Sequence, residues 1–490
     1  MSKILVTTLG CKANQADSED IAARYLSRGY SLAKKGEVPD ICVVNTCTVT
    51  AKADSRCRNA IHKLKKLYPA AKMIVTGCMA NVAEEELKRM KDVDTVIQTS
   101  DFRLPTSAER NQKTRPQLKI QDGCDNYCTY CIVPYARGKS RSLPVEDVVS
   151  RVEGLKAAGA QEIVLTGIHL GAYGKDLKPK TSLVNLLQKI CHPRESGDLM
   201  NTIIYGRSPR QYDAAGAAIT TSGMTDNRLR LRLSSIEPDE FSPEFLAFLA
   251  KACRTGHICP HFHIPLQSGT DEILKAMGRK YTTENYRALL GQITALLNTG
   301  GSQKSDVRCQ ISDLRHPTSS ALPTSYFLPP TSSVAIGADV IVGFPGETAE
   351  LFERTVKFIE SLPIAYLHVF PYSPRPLTAA YKLKNTASAK EKQRRVAELC
   401  AISEGKQLKF YKSQIDKKLS VVTLRKRDKK TGLLKGISEN YVPVLFEGGD
   451  ELMGRECDVK VEEVRGLEVR GQKSEVGNLR SEIRLLTSDF

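Results

Sequence analysis

Short apolar runs alternate with longer amphipathic stretches over the first hundred residues. Ile4 to Thr8, Asp40 to Asn45 and Lys72 to Thr76 read as strands, and Asp17 to Arg28, Ala51 to Leu67 and Asn81 to Lys91 as helices. Strands separated by helix-length connections predict a parallel α/β sheet. A second series starts near Gln117, with candidate strands Leu118 to Gln121, Glu162 to Thr166, Arg228 to Ser234, His261 to Gln267, Ala338 to Phe344 and Tyr366 to Tyr372. A helical stretch follows each, so about six βα units and a partial or complete TIM-like barrel are expected. After Lys406 the runs become short and β-like (Leu419 to Thr423, Tyr441 to Phe446, Glu456 to Val461), which suits a small antiparallel β-barrel.

Two stretches, 192–227 and 298–334, lack periodicity and are rich in Ser, Thr, Pro, Arg and Gly. Connections that long are uncommon in compact domains, so both read as disordered surface insertions. The tail is similar in composition, and its Glu463-Val464-Arg465-Gly466 recurs as Glu468-Val469-Arg470-Gly471. The expected organisation is an N-terminal domain over 1–105, a barrel over 115–390 carrying the two insertions, a small barrel over 406–463 and a disordered tail over 464–490.

At 490 residues, 41% hydrophobic and 26% charged, the composition is that of a globular protein. No apolar run approaches the ~18–20 residues of a membrane span, and the N-terminus passes straight into a strand-like pattern. A cytoplasmic protein with no membrane partner is expected. The formal charge of +17 favours a polyanionic partner such as nucleic acid. The stretch from Lys406 to Lys435 concentrates it, with eleven Lys or Arg against two Asp; a solvated basic surface without a partner is the alternative.

Fourteen cysteines are many for a reducing compartment unless some hold metal. Cys124, Cys128 and Cys131 form a CxxxCxxC just after the first expected barrel strand. Three thiolates so spaced suit three irons of a [4Fe-4S] cube, leaving the fourth iron open to a ligand. A zinc site would want a fourth Cys or His, and His169 and His261 would reach the trio only through folding. Cys11, Cys47 and Cys78 are distant in sequence, yet each follows an expected N-terminal strand. Loops at the carboxyl ends of parallel strands share one crevice, so a second cube could form there, or these are ordinary small buried side chains.

The CxxxCxxC segment, with Tyr130 before its third cysteine, resembles that of the radical S-adenosylmethionine (SAM) enzymes. The resemblance implies that the open iron binds SAM and that the chemistry is radical. It points to Gly167, Gln267, Ser268 and Gly343 as SAM contacts, in segments such as His261-Phe262-His263-Ile264-Pro265-Leu266-Gln267-Ser268-Gly269 and Val342-Gly343-Phe344-Pro345-Gly346; by themselves these are ordinary strand-to-helix turns. Thr8-Leu9-Gly10-Cys11-Lys12-Ala13-Asn14-Gln15, Asn45-Thr46-Cys47-Thr48-Val49 and Thr76-Gly77-Cys78 resemble the three cysteine segments of the methylthiotransferase family. This resemblance implies two [4Fe-4S] clusters, an RNA-binding TRAM-like terminal barrel, a tRNA anticodon stem-loop as substrate and an electron donor such as a flavodoxin or ferredoxin. Lys12-Ala13-Asn14-Gln15 is most similar to the branch that adds methylthio to carbon 2 of N6-threonylcarbamoyladenosine at position 37, beside the anticodon. Branches acting on isopentenyladenosine tRNA or on a ribosomal-protein aspartate stay open, as does a non-catalytic, zinc-stapled RNA-binding protein. Arg137 and Arg141, just past the CxxxCxxC, suit a phosphate or carboxylate, or simply the surface.

Overall fold

The computed structural model describes residues 2–34, 36–99, 114–191, 229–298, 333–384 and 387–473. Its first strands are β1 (Lys3–Thr8), β2 (Ser31–Leu32), β3 (Ile41–Thr46), β4 (Lys72–Gly77) and β5 (Thr95–Val96). They form one parallel sheet in the order β2-β1-β3-β4-β5. The apolar run Cys42 to Val44 is buried because helices cover both faces of the sheet. One cover helix, Ala51–Leu67, matches the expected span and is capped by the Thr50 side chain. The expected helix Asn81 to Lys91 is instead two short ones, Cys78–Val82 and Glu84–Lys88, so Cys78 stands in a helical first turn.

The chain continues through β6 (Gln117–Lys119), the short pair β7 (Gln121–Asp122) and β8 (Arg141–Ser142), then β9 (Glu162–Thr166), β10 (Arg230–Leu233), β11 (His261–His263), β12 (Ala335–Val342) and β13 (Tyr366–Pro371). Two three-stranded parallel sheets result, β6-β9-β10 and β11-β12-β13. They adjoin where Leu231 bridges Ile258 just ahead of β11. A single apolar core runs from Leu118 to Leu399 between these strands and their helices. The helix Ala389–Lys412 packs on this unit, with Leu399 fully buried, while Phe410 and Tyr411 in its last turn join the core of the C-terminal strands. Its buried face carries Lys392, Arg395 and Ser403, polar residues that hide a core-facing helix in a basic sequence.

The last five strands, β14 (Lys418–Arg427), β15 (Leu434–Ser438), β16 (Pro443–Phe446), β17 (Glu456–Arg465) and β18 (Glu468–Lys473), close on themselves in the order β14-β15-β16-β18-β17. The first strand of this unit begins at 418 and its last ends at 473. The tail expected to be disordered from 464 is strand as far as Lys473; its repeated tetrapeptide forms the two arms of a hairpin, Val464 opposite Val469 and Glu463 opposite Arg470. Residues 474–490 lie outside the described residues, as do the insertion 192–227 and all of 298–334 except Asn298, Ser333 and Val334. The Asn298 side chain accepts from the Ser333 backbone N–H at 3.2 Å, so the two ends of that second stretch meet. No helix of the described residues is long and apolar enough to cross a membrane.

Candidate functional site

Strand adjacency brings the first cysteine trio together. β1, β3 and β4 are neighbours whose carboxyl ends are level, Thr8 opposite Asn45 and Thr46 opposite Gly77. Cys11 caps the helix Lys12–Ser27 after β1, Cys47 follows β3, and Cys78 follows β4. In a sheet of order 2-1-3-4-5 the crevice beyond β1 and β3 is the topological switch point where ligands bind. Gly77 is fixed there by space and conformation: its φ is +97°, and a Cβ would collide with Asn45 and Thr46.

Buried polar groups hold this crevice. Asn14 donates to Asn45 Oδ1 (3.1 Å) and to the Thr46 carbonyl (2.9 Å), and Asn45 donates back to the Asn14 carbonyl and to Ser18. Cys11 Sγ lies 3.3 Å from Asn14 Oδ1. Cys57 touches the Cys47 backbone N–H and carbonyl at 3.3 Å. Burial pushes the Cys47 thiol up to about 12, with Cys78 and Cys11 adding to the rise.

The second trio lies in the loop after β7. Tyr127, inside it, has φ +45°, a strained conformation common at functional sites. Thr129 pins the loop to Ala276 and Met277, and Ala380 donates to the Thr129 carbonyl. Arg279 donates to Cys128 Sγ at 3.4 Å, pairs with Glu237 and stacks on Tyr281. His169 Nδ1 lies 3.8 Å from Cys124 Sγ, and its Nε2 is 2.9 Å from Glu240. Burial lowers the His169 pKa, but Cys124 and Glu240 outweigh it and raise it to about 10. Burial pushes the Cys131 thiol up to about 12.

Sequence reasoning missed the group that joins the two trios. Arg137 is 4% exposed. It donates to Cys78 Sγ (3.3 Å), Asn14 Oδ1 (3.2 Å), Asp17 Oδ2 (2.8 Å) and both Asp122 oxygens (3.0 and 3.2 Å). Lys119 adds ion pairs to Asp17 and Asp122. Burial works against the Asp122 carboxylate, but Arg137 and Lys119 hold it well below the usual range. Arg141 is exposed.

The donor chemistry fits iron–sulfur clusters better than single ions. A tetrahedral zinc would draw thiolates to about 4 Å from one another. Among the described residues, the one group of three ligand atoms all within 4.8 Å is His263, Asp339 and His368, and neither cysteine trio closes so tightly. His169 does approach Cys124, but it is also held by Glu240; His261 is far from the trio in the fold, stacked on Tyr441 at 4.2 Å. Thiols whose burial disfavours ionisation become thiolates when a cationic centre joins them.

The expected SAM contacts lie on the rim of the same face, with Gly167 just past β9, Gln267 and Ser268 beyond β11, and Gly343 just past β12. Gln267 takes φ +67° and its backbone pairs with Asp339 and Ile341. Ser268 is fully buried, 3.5 Å from Thr270 Oγ1. The open side of Gly343 holds the Lys392 stem, 2.5 Å from where a Cβ would stand.

The uncharacterized protein family UPF0004 matches residues 3–98 and the Radical SAM superfamily residues 118–298. Threonylcarbamoyladenosine tRNA methylthiotransferase MtaB of Aquifex aeolicus (strain VF5) is 31% identical over 92% of this chain and 98% of its own length. The chain belongs to the radical SAM methylthiotransferase family. MtaB of Bacillus subtilis (strain 168) is also 31% identical, over 94% of each chain. A tRNA-2-methylthio-N(6)-dimethylallyladenosine synthase of Endomicrobium trichonymphae is 28% identical over 94% of this chain and 97% of its own. Among solved structures, the radical SAM methyltransferase TsrM of Kitasatospora setae overlaps at a TM-score of 0.45 with 14% identity, covering 76% of this chain and 73% of its own. A radical SAM methylthiotransferase transfers a sulfur-containing group with SAM and [4Fe-4S] clusters as cofactors, a second cluster marking the MtaB type.

Proposed function

We propose that this enzyme adds a methylthio group to carbon 2 of N6-threonylcarbamoyladenosine beside the anticodon of tRNA. The convergence of Cys11, Cys47 and Cys78 on one crevice, joined through Arg137 to the loop of Cys124, Cys128 and Cys131, carries this reading. Both relatives at 31% identity bear the threonylcarbamoyladenosine name. The target hydrogen is not acidic enough for a side-chain base. When bound, SAM and its cluster supply one-electron chemistry strong enough to remove it.

The chain's own residues prepare the two sites. Cys124, Cys128 and Cys131 would hold the SAM cluster, and Cys11, Cys47 and Cys78 the auxiliary one. Arg279 and Arg137 place a cationic donor against one sulfur of each trio, which favours its thiolate. Gly167, Gln267 and the backbone of Gly343 would border SAM, with Ser268 shaping the turn from behind. Six parallel strands met in chain order support the reading of the central unit as a partial (βα)6 barrel.

The substrate reading implies an RNA-binding surface. Tyr127 and Tyr135 stand 52% and 42% exposed beside the cysteine loop, an aromatic pair able to stack on unpaired bases. The closed C-terminal barrel exposes Arg425, Lys426, Lys429 and Lys430, suited to phosphates and to the TRAM-like role. The domain limits that follow are 2–99, 114–412 and 418–473. The electron donor would be a small redox protein such as a flavodoxin or ferredoxin.

The test is mass spectrometry of tRNA nucleosides from a deletion strain. The methylthio form of threonylcarbamoyladenosine should disappear and return with the plasmid-borne gene. Loss of the isopentenyl form instead would move the substrate, and unchanged nucleosides would reject the tRNA reading.

A further inference from the structure

Lys12 begins the helix that lies across the wall of central strands, immediately after Cys11. One turn later Gln15 accepts from Gln117 of β6 at 2.6 Å, and Asp17 pairs with Lys119 of the same strand. Residues three apart share a helix face, so Lys12 is directed along the same wall. The charges that act on it are Arg115, Arg232, Glu162 and Asp339, from just before β6 and from β10, β9 and β12, so its ammonium is within electrostatic reach of several central strands.

Neither acid is free to pair with it. Glu162, fully buried, already takes Arg115 (2.6 Å), Arg230 (2.8 Å) and Arg232 (2.8 Å). Asp339 Oδ1 is engaged by His263 at 2.8 Å and His368 at 3.2 Å. Lys12 makes no hydrogen bond or ion pair with any described residue, while two guanidinium groups add to the positive potential around it. A half-buried ammonium in that state is costly, and an anion from outside would offset the cost.

We propose that Lys12 is the receptor for an anionic group of the substrate, the threonyl carboxylate at the end of the N6-substituent. The inference rests on the proposed substrate class and extends it by naming what reads that substrate. Lys12 is partly buried, which suits the end of a base substituent better than a phosphate held on the RNA backbone. An isopentenyl group, wholly apolar, would leave Lys12 unpaired, so the residue also discriminates between the two tRNA substrate classes.

The test uses the reconstituted holoenzyme and anticodon stem-loops bearing threonylcarbamoyladenosine, its methyl ester or isopentenyladenosine, with binding read by fluorescence anisotropy and turnover by mass spectrometry. The wild type should bind the free acid about 10- to 100-fold more tightly than the ester, as a charge-assisted hydrogen bond warrants. Lys12→Met should erase that preference by weakening the acid alone and raising its KM more than it lowers kcat, with iron content per chain unchanged. Lys12→Arg should restore part of it. The inference falls if Lys12→Met keeps the preference, if it weakens acid and ester equally, as a phosphate contact would, or if only the KM for SAM rises. A wild type that turns over none of the three RNAs would defeat the substrate reading, while the acid-to-ester binding ratio would still decide the role of Lys12.

Discussion

Replacing Arg137 with methionine keeps an apolar stem of similar course and removes its five donors. The guanidinium is buried and spans two acidic groups, an asparagine and a cysteine of the auxiliary trio. Without it, Asp17 and Asp122 share one remaining cation, Lys119, in a largely buried site. Removing one partner of a buried ion pair costs about 3–5 kcal/mol, a large share of the roughly 5–15 kcal/mol that holds a domain folded. The loss should be concentrated where the N-terminal sheet meets the central unit. In reconstituted protein the urea midpoint of Arg137→Met should fall by that equivalent, and the auxiliary trio, deprived of the donor at Cys78, should lose iron to a chelator before the Cys124 trio does. Arg137→Lys, keeping the charge but not the fork, should recover less than half of the loss. A methionine variant with an unchanged midpoint and full iron retention would show that Arg137 does not join the two sites.

Glu439 sits behind the Arg230 and Arg232 cluster with Oε2 buried and unpartnered. Burial raises its pKa from the ordinary 4.5 to about 7, against the pull of Arg230. The folded state thus keeps a proton that the unfolded chain has lost, so stability declines as pH rises through the window from 4.5 to 7. Glu439→Gln should stabilise the protein, by about 2 kcal/mol more at pH 8 than at pH 5.5, read from urea midpoints; an equal effect at both values would contradict the assignment. On the C-terminal barrel, combining Lys426→Glu, Lys429→Glu and Lys430→Glu should cut tRNA affinity about 10-fold or more near physiological salt. The slope of log affinity against log salt should flatten by about 2 to 3, since each of the three lost phosphate contacts removes a little under one. An unchanged slope would place the RNA elsewhere.

Much of this architecture could be read from residue pattern, and the exceptions have physical causes. Cys47 and Cys78 were legible because each stands directly after an apolar run that could only be a strand, and parallel strands send their carboxyl ends to one side. Arg137 was not, because its partners Cys78, Asn14 and Asp17 lie 59, 123 and 120 residues away and its neighbours resemble a surface loop. A buried Asn45 closing the strand Ile41–Thr46 was the available clue, since such an amide demands partners. β15 and β18 escaped notice because Gly436 and Gly471 stand at inward positions where a Cβ would strike Val421 and Lys460. The closeness that lets the barrel close also erases the alternation that announces a strand. The boundary near 406 followed charge, whereas the helix Ala389–Lys412 obeys packing, with Arg395 buried in an ion pair to Glu347 at 2.7 Å.

Iron and sulfide per chain, measured after anaerobic reconstitution of the wild type and of a variant carrying Cys11→Ala, Cys47→Ala and Cys78→Ala, test the two-site account most directly. The wild type should hold roughly eight of each and the variant roughly four, with SAM cleavage kept and methylthio product abolished. Four irons in both proteins, or product formation that survives the triple change, would contradict it.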